Sequence, residues 1–457
     1  MCGSLFSLGP VSTFRISKLF THPIKMEFVA ETIADLSPSL TLSITSQANA
    51  MREEGIDVCS FGAGEPDFDT PQYIKDAAIE ALQDGQTKYT AVAGIAALRK
   101  GIAKKLREEN HINYEAEEII VNCGAKHSCF NAIMACCDAG DEVIIPSPYW
   151  TSYPEMVRAV GAEPVFVETR QENGWKMTAQ EFDNAMSGST KMVIVNSPNN
   201  PTGAVYTKEE LTAIGEVAAS EDILILSDEI YEKITYDDTE HHSIGSLSDE
   251  IRNLTITING FSKAYSMTGW RLGYTAAPKE IADAIDTIQS HSTSNPTTFA
   301  QYGAIAALGG ENSDIVDMVA EYDIRRQYML SRLQGIGNVS TIEPKGAFYF
   351  LVNIEKTGIK SLKIGYNRVF GYYLEVSKSY TSRVPSDYVR RQTLVGGERY
   401  ITPEMKKYES IILNTSSKIE EIEKRLFEKI CSDISIHLEA LLKTSYAISL
   451  MDVFYSL

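Results

Sequence analysis

The stretch KMVIVNSPNNPTG (191–203) runs from an uninterrupted apolar segment straight into a polar turn rich in Asn and Pro. An apolar run with no polar alternation reads as a strand buried on both faces, which is the mark of a parallel sheet. Four more segments share this grammar: EIIVNC (118–123), DEVIIP (141–146), EPVFVE (163–168) and ILILSDE (223–229). Amphipathic helical patterns at 74–83, 95–109, 126–137 and 207–220 lie between or around them. This βαβ rhythm predicts an α/β domain with a mainly parallel sheet and right-handed crossovers. Ligands in such sheets bind beyond the carboxyl ends of the strands, so the turns after them are where chemistry is expected.

Taken in order, those turns carry a consistent set of groups. CGAK (123–126) opens a helix with Gly124 and Ala125 at the turn, where free N–H groups suit a phosphate. SPYW (147–150) places Trp150 just past a strand; such a Trp is more often core than a ring-stacking plate. Asn200, held before Pro201, can aim its amide at one ligand atom. Asp228 in SDEIY (227–231) is a carboxylate at a buried strand end and needs a partner, with Tyr231 close behind. In GFSKAYSMTGWRLGY (260–274), Lys263 sits among small and apolar residues that would lower its pKa and free its amine. Ser262 and Arg271 bracket it as phosphate donors. A lone semi-buried Lys is usually one half of a structural ion pair. On successive strand ends, however, the set describes a pocket for a planar, phosphorylated aldehyde: pyridoxal 5'-phosphate.

The wider composition bounds this reading. The chain has 457 residues, 44% hydrophobic and 23% charged, which is ordinary for a globular protein. Its net charge of −19 argues against the whole chain binding nucleic acid. The charge is uneven: residues 27–356 carry −25, whereas residues 357–457 carry +3. Seven cysteines form no CxxC pair, so reduced thiols are expected and no metal site. No apolar run is long enough to span a membrane. Residues 1–25 contain no acidic residue and read as an upstream extension before Met26 or as an organellar targeting segment. The expected location is accordingly the cytoplasm, or an organelle if that segment is a transit peptide.

With FGAGEPDFDTP (61–71), KYTAVAGI (88–95), NSPNNPTGAVY (196–206), SKAYSMTGWRLGY (262–274) and PKGAFY (344–349) in order, residues 28–352 resemble a fold-type I, class I aminotransferase. The similarity is to the aspartate aminotransferase subgroup of bacteria and plastids. It implies that Lys263 holds the cofactor covalently and moves the proton between substrate Cα and cofactor C4′. Asp228 would keep the pyridine nitrogen protonated, Asn200 and Tyr231 would bond the phenolic oxygen, and Trp150 would stack on the ring. Gly124, Ala125, Lys126, Ser262 and Arg271 would surround the phosphate. Tyr89 would reach the phosphate of a neighbouring subunit, implying a homodimer. Gly64, with Trp150 and Asn200, would meet the substrate. The implied reaction is ping-pong transamination between an amino acid, aspartate or a similar acidic one, and 2-oxoglutarate.

After residue 356 the resemblance breaks. The family's strand with an Arg that clamps the substrate carboxylate has no counterpart, so substrate binding is expected to be impaired. Instead SLKIGYNRVFGYYLEVS (361–377) predicts a β-hairpin around NRVFG. Beyond Pro403, Met405, Tyr408, Ile412, Ile419, Ile422, Leu426 and Ile430 predict a long amphipathic, coiled-coil-like helix. With VPSDYVRRQTLVGGERYITPEM (384–405), this part resembles the core-to-clamp region of the DNA mismatch-repair ATPase MutS. At +3 it would make at most weak, salt-sensitive contact with duplex DNA. No GxxxxGK[ST] loop is present, so no ATPase is implied. The expected organisation is an extension (1–25), an aminotransferase domain lacking its C-terminal part (26–356) and a MutS-like fragment (357–457). A join within both domains also fits a fusion of two truncated genes.

Overall fold

The structure is a computed structural model and describes residues 30, 33, 36–55, 58, 61–335, 339–353, 363–367, 371–384, 388–394 and 396–401. The described residues form two compact units: those up to residue 335 with Ser340–Val352, and Val339 with those from Asn353 onward.

The first unit is built on a seven-stranded sheet: β1 (Ile119–Asn122), β2 (Glu142–Ser147), β3 (Glu163–Glu168), β4 (Thr190–Asn196), β5 (Leu224–Asp228), β6 (Thr255–Gly260) and β7 (Gly273–Ala276), in the order β1-β7-β6-β5-β4-β2-β3. β6, β5, β4, β2 and β3 are parallel, whereas β7 runs antiparallel to both β6 and β1. The sheet is therefore mainly parallel, as expected. The antiparallel β7 follows from the short GFSKAYSMTGW loop, which lets the chain return beside the strand it has just left. β4 shows why its sequence lacks alternation: Met192 and Ile194 enter one buried layer, Val193 and Val195 the opposite one. β3 departs from the expectation of two buried faces. It is the edge strand, and Glu163, Phe166 and Glu168 are exposed.

The helices are α1 (Leu40–Glu53), α2 (Gln72–Gln83), α3 (Ala96–Glu109), α4 (Ala125–Cys136), α5 (Ser152–Ala159), α6 (Ala179–Ala185), α7 (Lys208–Ser220), α8 (Asp249–Leu254), α9 (Lys279–Ser290), α10 (Thr298–Gly309) and α11 (Ser313–Gln334). The four helical patterns read from sequence correspond to α2, α3, α4 and α7. A reciprocal cap starts α7: Thr207 accepts from the Glu210 N–H while the Glu210 carboxylate accepts from the Thr207 N–H. Among the described residues no helix is long and apolar enough to cross a membrane.

Because β7 reverses between β6 and β1, strands β1, β2, β4, β5 and β6 all end at one edge of the sheet. The amino end of β7 lies at the same edge, with Gly273 opposite Asn122 and Gly260.

The second unit is a four-stranded antiparallel sheet of β8 (Lys363–Asn367), β9 (Gly371–Ser377), β10 (Val389–Thr393) and β11 (Gly397–Ile401), in the order β10-β11-β9-β8. The expected hairpin is β8–β9, with Asn367 opposite Gly371. Leu374, Val376 and Tyr400 form its small core. The helix expected beyond Pro403 and the segment 1–25 lie outside the described residues.

Candidate active site

At the shared carboxyl edge of the first unit lies a cavity of about 1030 Å³. Gly64, Ala125, Lys126, Trp150, Asn200, Asp228, Tyr231, Ser262, Lys263 and Arg271 all line it. Gly124 sits directly behind Arg271. Tyr89 is elsewhere: it is 89% exposed and lines a separate hollow with Thr87 and Asn295.

One end of the cavity is a basic cup. Gly124 caps α4 with φ +89°, a backbone that favours glycine, and no side chain occupies the cap. The N–H groups of Ala125 and Lys126 have no carbonyl four residues back within α4 to bond. Arg271 arrives from the start of β7 and donates through Nη1 to Thr268 O at 3.0 Å and through Nη2 to Cys123 O at 3.4 Å. A Cβ on residue 124 would lie 2.5 Å from Arg271 Nη2, so the guanidinium is packed onto bare backbone. Burial, and then the charge of Arg271, lower the pKa of Lys126, whose Nζ lies 5.0 Å from the Trp150 ring centroid.

Across the cavity, Asp228 at the end of β5 is 4% exposed. Its Oδ2 accepts from the Tyr153 hydroxyl at 2.6 Å and lies 4.0 Å from Cys129 Sγ; its Oδ1 accepts from the Ile230 N–H at 3.2 Å. Burial pushes this carboxyl up to about 6, against the pull of those hydrogen bonds. Among the described residues no cation lies at ion-pair distance from it. Asn196 braces the strand ends, donating to Asp228 O at 2.9 Å and accepting from the Asn200 N–H at 2.8 Å.

Lys263 lies between the rings of Tyr231 and Phe348, with Nζ 5.8 and 5.6 Å from their centroids, and donates to Gly64 O. Burial brings its pKa down to about 8; Glu65 opposes that shift and Arg271 adds to it. Tyr231 shares a 2.6 Å hydrogen bond with Tyr349, and burial raises its phenol pKa. A Cβ on residue 64 would lie 2.0 Å from Tyr349 Oη, so a larger residue there would displace the hydroxyl that bonds Tyr231.

These residues fit pyridoxal 5'-phosphate. The basic cup has the donors a phosphate requires. The buried carboxylate without a cation suits a protonated ring nitrogen, and the partly neutral amine suits an aldehyde. Sequence reasoning passed over Tyr153, Asn196, Tyr349, Phe348, Arg325 and Arg326. Tyr153 lies on the buried face of α5 and reads as ordinary core. Arg325 and Arg326 reach the cavity from α11, far along the chain, with no local motif.

Residues 56–379 match the family model of aminotransferase class I and II, and the chain belongs to this family of pyridoxal 5'-phosphate-dependent enzymes. An aspartate aminotransferase of Bacillus sp. (strain YM-2) is 47% identical over 340 residues, covering 74% of this chain and 87% of that protein. A probable aspartate/prephenate aminotransferase of Aquifex aeolicus is 47% identical over 336 residues, covering 72% and 85%. The structure of Thermus thermophilus aspartate aminotransferase with maleate superposes with a TM-score of 0.70 at 42% identity, covering 74% and 87%. Residues 353–430 match the model of MutS family domain IV, which overlaps the end of the aminotransferase match.

Proposed function

We propose that this chain transaminates aspartate or a similar acidic amino acid with 2-oxoglutarate, as a homodimer. The observation that carries the reading is the placement on one cavity of Lys263, with its lowered pKa, and the buried Asp228, which has no cation at ion-pair distance among the described residues. When bound, the cofactor supplies an aldehyde for the amino group and an electron-accepting ring. The chain's own residues do the rest. Gly124, Ala125, Lys126, Ser262 and Arg271 would hold the cofactor's phosphate, and Trp150 would cover its ring. Asn200 and Tyr231 would donate to its phenolic oxygen, and Asp228 would keep the ring nitrogen charged. Lys263 Nζ is the base that takes the substrate Cα proton, close to Gly64, whose backbone meets the substrate carboxylate. Tyr89, exposed and away from this cavity, is free to enter the site of a second copy.

The Arg-bearing strand of the family is missing from the sequence. Losing one partner of a desolvated charge pair costs about 2–5 kcal/mol, or roughly 30- to several-thousand-fold in affinity. Substrate binding is thus expected to be weak while cofactor binding persists. On adding pyridoxal 5'-phosphate, a visible band of lysine-bound cofactor is expected; aspartate should bleach it and 2-oxoglutarate restore it. A protein that develops no band refutes the reading.

A second reading is favoured by the match of residues 353–430 to MutS domain IV and by the exposed Arg390 and Arg391 on β10. Here the C-terminal part contacts duplex phosphates. It predicts retention on homoduplex DNA at low salt and steep release as salt rises; lack of retention at low salt rules it out.

A further inference from the structure

An amino-acid substrate brings a carboxylate into the cavity, and the cations lining it are not equally free to take it. Lys263 is the amine. Lys126 and Arg271 stand together at the amino end of α4. Arg326 is 5% exposed and its fork is spent: Nε bonds Asp323 at 2.7 Å, Nη2 bonds Asp237 at 2.7 Å, and Nη1 bonds Glu343 and Pro344 O at 3.1 Å each.

Arg325 is different. Its side chain is 44% exposed and lines the cavity. Nη1 holds both oxygens of Asp67, at 2.8 and 3.0 Å, and Nε holds Glu321 at 2.9 Å. Asp67 is 64% exposed and lies three residues beyond Gly64. The guanidinium is stacked over Phe68, 5.2 Å from its centroid, and lies 5.9 Å from that of Tyr322. Tyr322 in turn contacts Phe348, the ring beside Lys263. A flat fork stacked on aromatic faces, anchored through Nε by Glu321 and gripping the exposed Asp67 carboxylate through Nη1 alone, is a site in which the Asp67 carboxylate can be exchanged for another.

We infer that Arg325 is a substrate-binding residue: it takes a carboxylate of the amino-acid substrate, with Asp67 occupying the fork until substrate arrives. This rests on the transamination reading. The test uses the full chain loaded with pyridoxal 5'-phosphate and follows the visible band as aspartate or alanine is added. Arg325→Gln should keep the band but bind aspartate about ten- to thirtyfold more weakly, the partial exposure of the site limiting the loss. Arg325→Lys should recover part of that loss. An equal loss with alanine assigns the fork to the α-carboxylate; a loss with aspartate alone assigns it to the distal one.

Asp67→Asn separates binding from bracing. Removing the competing carboxylate should tighten aspartate several-fold, whereas a fork that only braces Asp67 predicts no change or a loss. Unchanged aspartate affinity in Arg325→Gln overturns the inference alone. Failure of the unaltered chain's band to respond to aspartate overturns the transamination reading and the inference with it.

Discussion

Replacing Lys263 with alanine is expected to remove the visible band of lysine-bound cofactor and to lower transamination by at least about 10²–10⁴-fold, the contribution typical of a positioned proton-transfer group. The amine is placed for this by its surroundings. Tyr231, Phe348 and the Gly64 loop shield it, and burial lowers its pKa to about 8. An ordinary lysine, titrating near 10.5, would present about 300-fold less neutral amine at pH 7. Lys263→Arg is the sharper control. It keeps the positive charge but offers no usable nucleophile, so it should be as inactive as alanine. If arginine restores function, Lys263 is a structural cation and its assigned role is wrong.

The same pKa gives a pH signature. The neutral amine is the reactive form, so proton binding competes with cofactor uptake below pH 8. The rate at which cofactor-free protein takes up pyridoxal 5'-phosphate should rise about tenfold per pH unit from pH 6 and level off above pH 8. Stopped-flow absorbance measures it. A profile still rising at pH 10 would place the amine at its ordinary value and contradict the burial argument.

Most of the lining of the candidate site was legible because the sheet turns sequence order into spatial order. Each parallel strand delivers its following turn to the same edge, so Trp150, Asn200, Asp228 and Lys263 could be read one strand at a time. Arg271 obeys a different rule, for it precedes β7, and only the reversal of that strand brings it to the edge. Residues that act across long sequence separations were not legible. Tyr153 bonds Asp228 from 75 residues away, and Tyr349 bonds Tyr231 from 118 away. Neither sits in a turn after a strand, and a buried tyrosine in a helix looks like core until its hydroxyl is located. The edge position of β3 was hidden for a related reason: apolar content reports how much of a strand can be buried, not which neighbours are present to bury it.

Asp228→Asn is expected to keep the shape of the site and lose its electrostatics. The carboxylate at the end of β5 is nearly fully buried, has no cation among the described residues, and is held by Tyr153 and the Ile230 N–H. Its attraction to a protonated ring nitrogen would be worth about 4 kcal/mol, the figure for unit charges 4 Å apart at an effective dielectric of 20. Removing it should weaken cofactor binding or slow the reaction by about 10³-fold in total. The split between the two is measurable, by equilibrium titration with pyridoxal 5'-phosphate on one side and single-turnover rates with aspartate on the other. The pH dependence supplies an independent check. This carboxyl titrates at about 6, so it is ionised above that pH and neutral below it. Both proteins should lose cofactor affinity as Lys263 takes up its proton below pH 8, but the fall should steepen below pH 6 in the unaltered protein alone, since Asp228→Asn has no proton to gain there. If the two proteins lose affinity with the same steepness below pH 6, Asp228 is not the residue that holds the cofactor nitrogen.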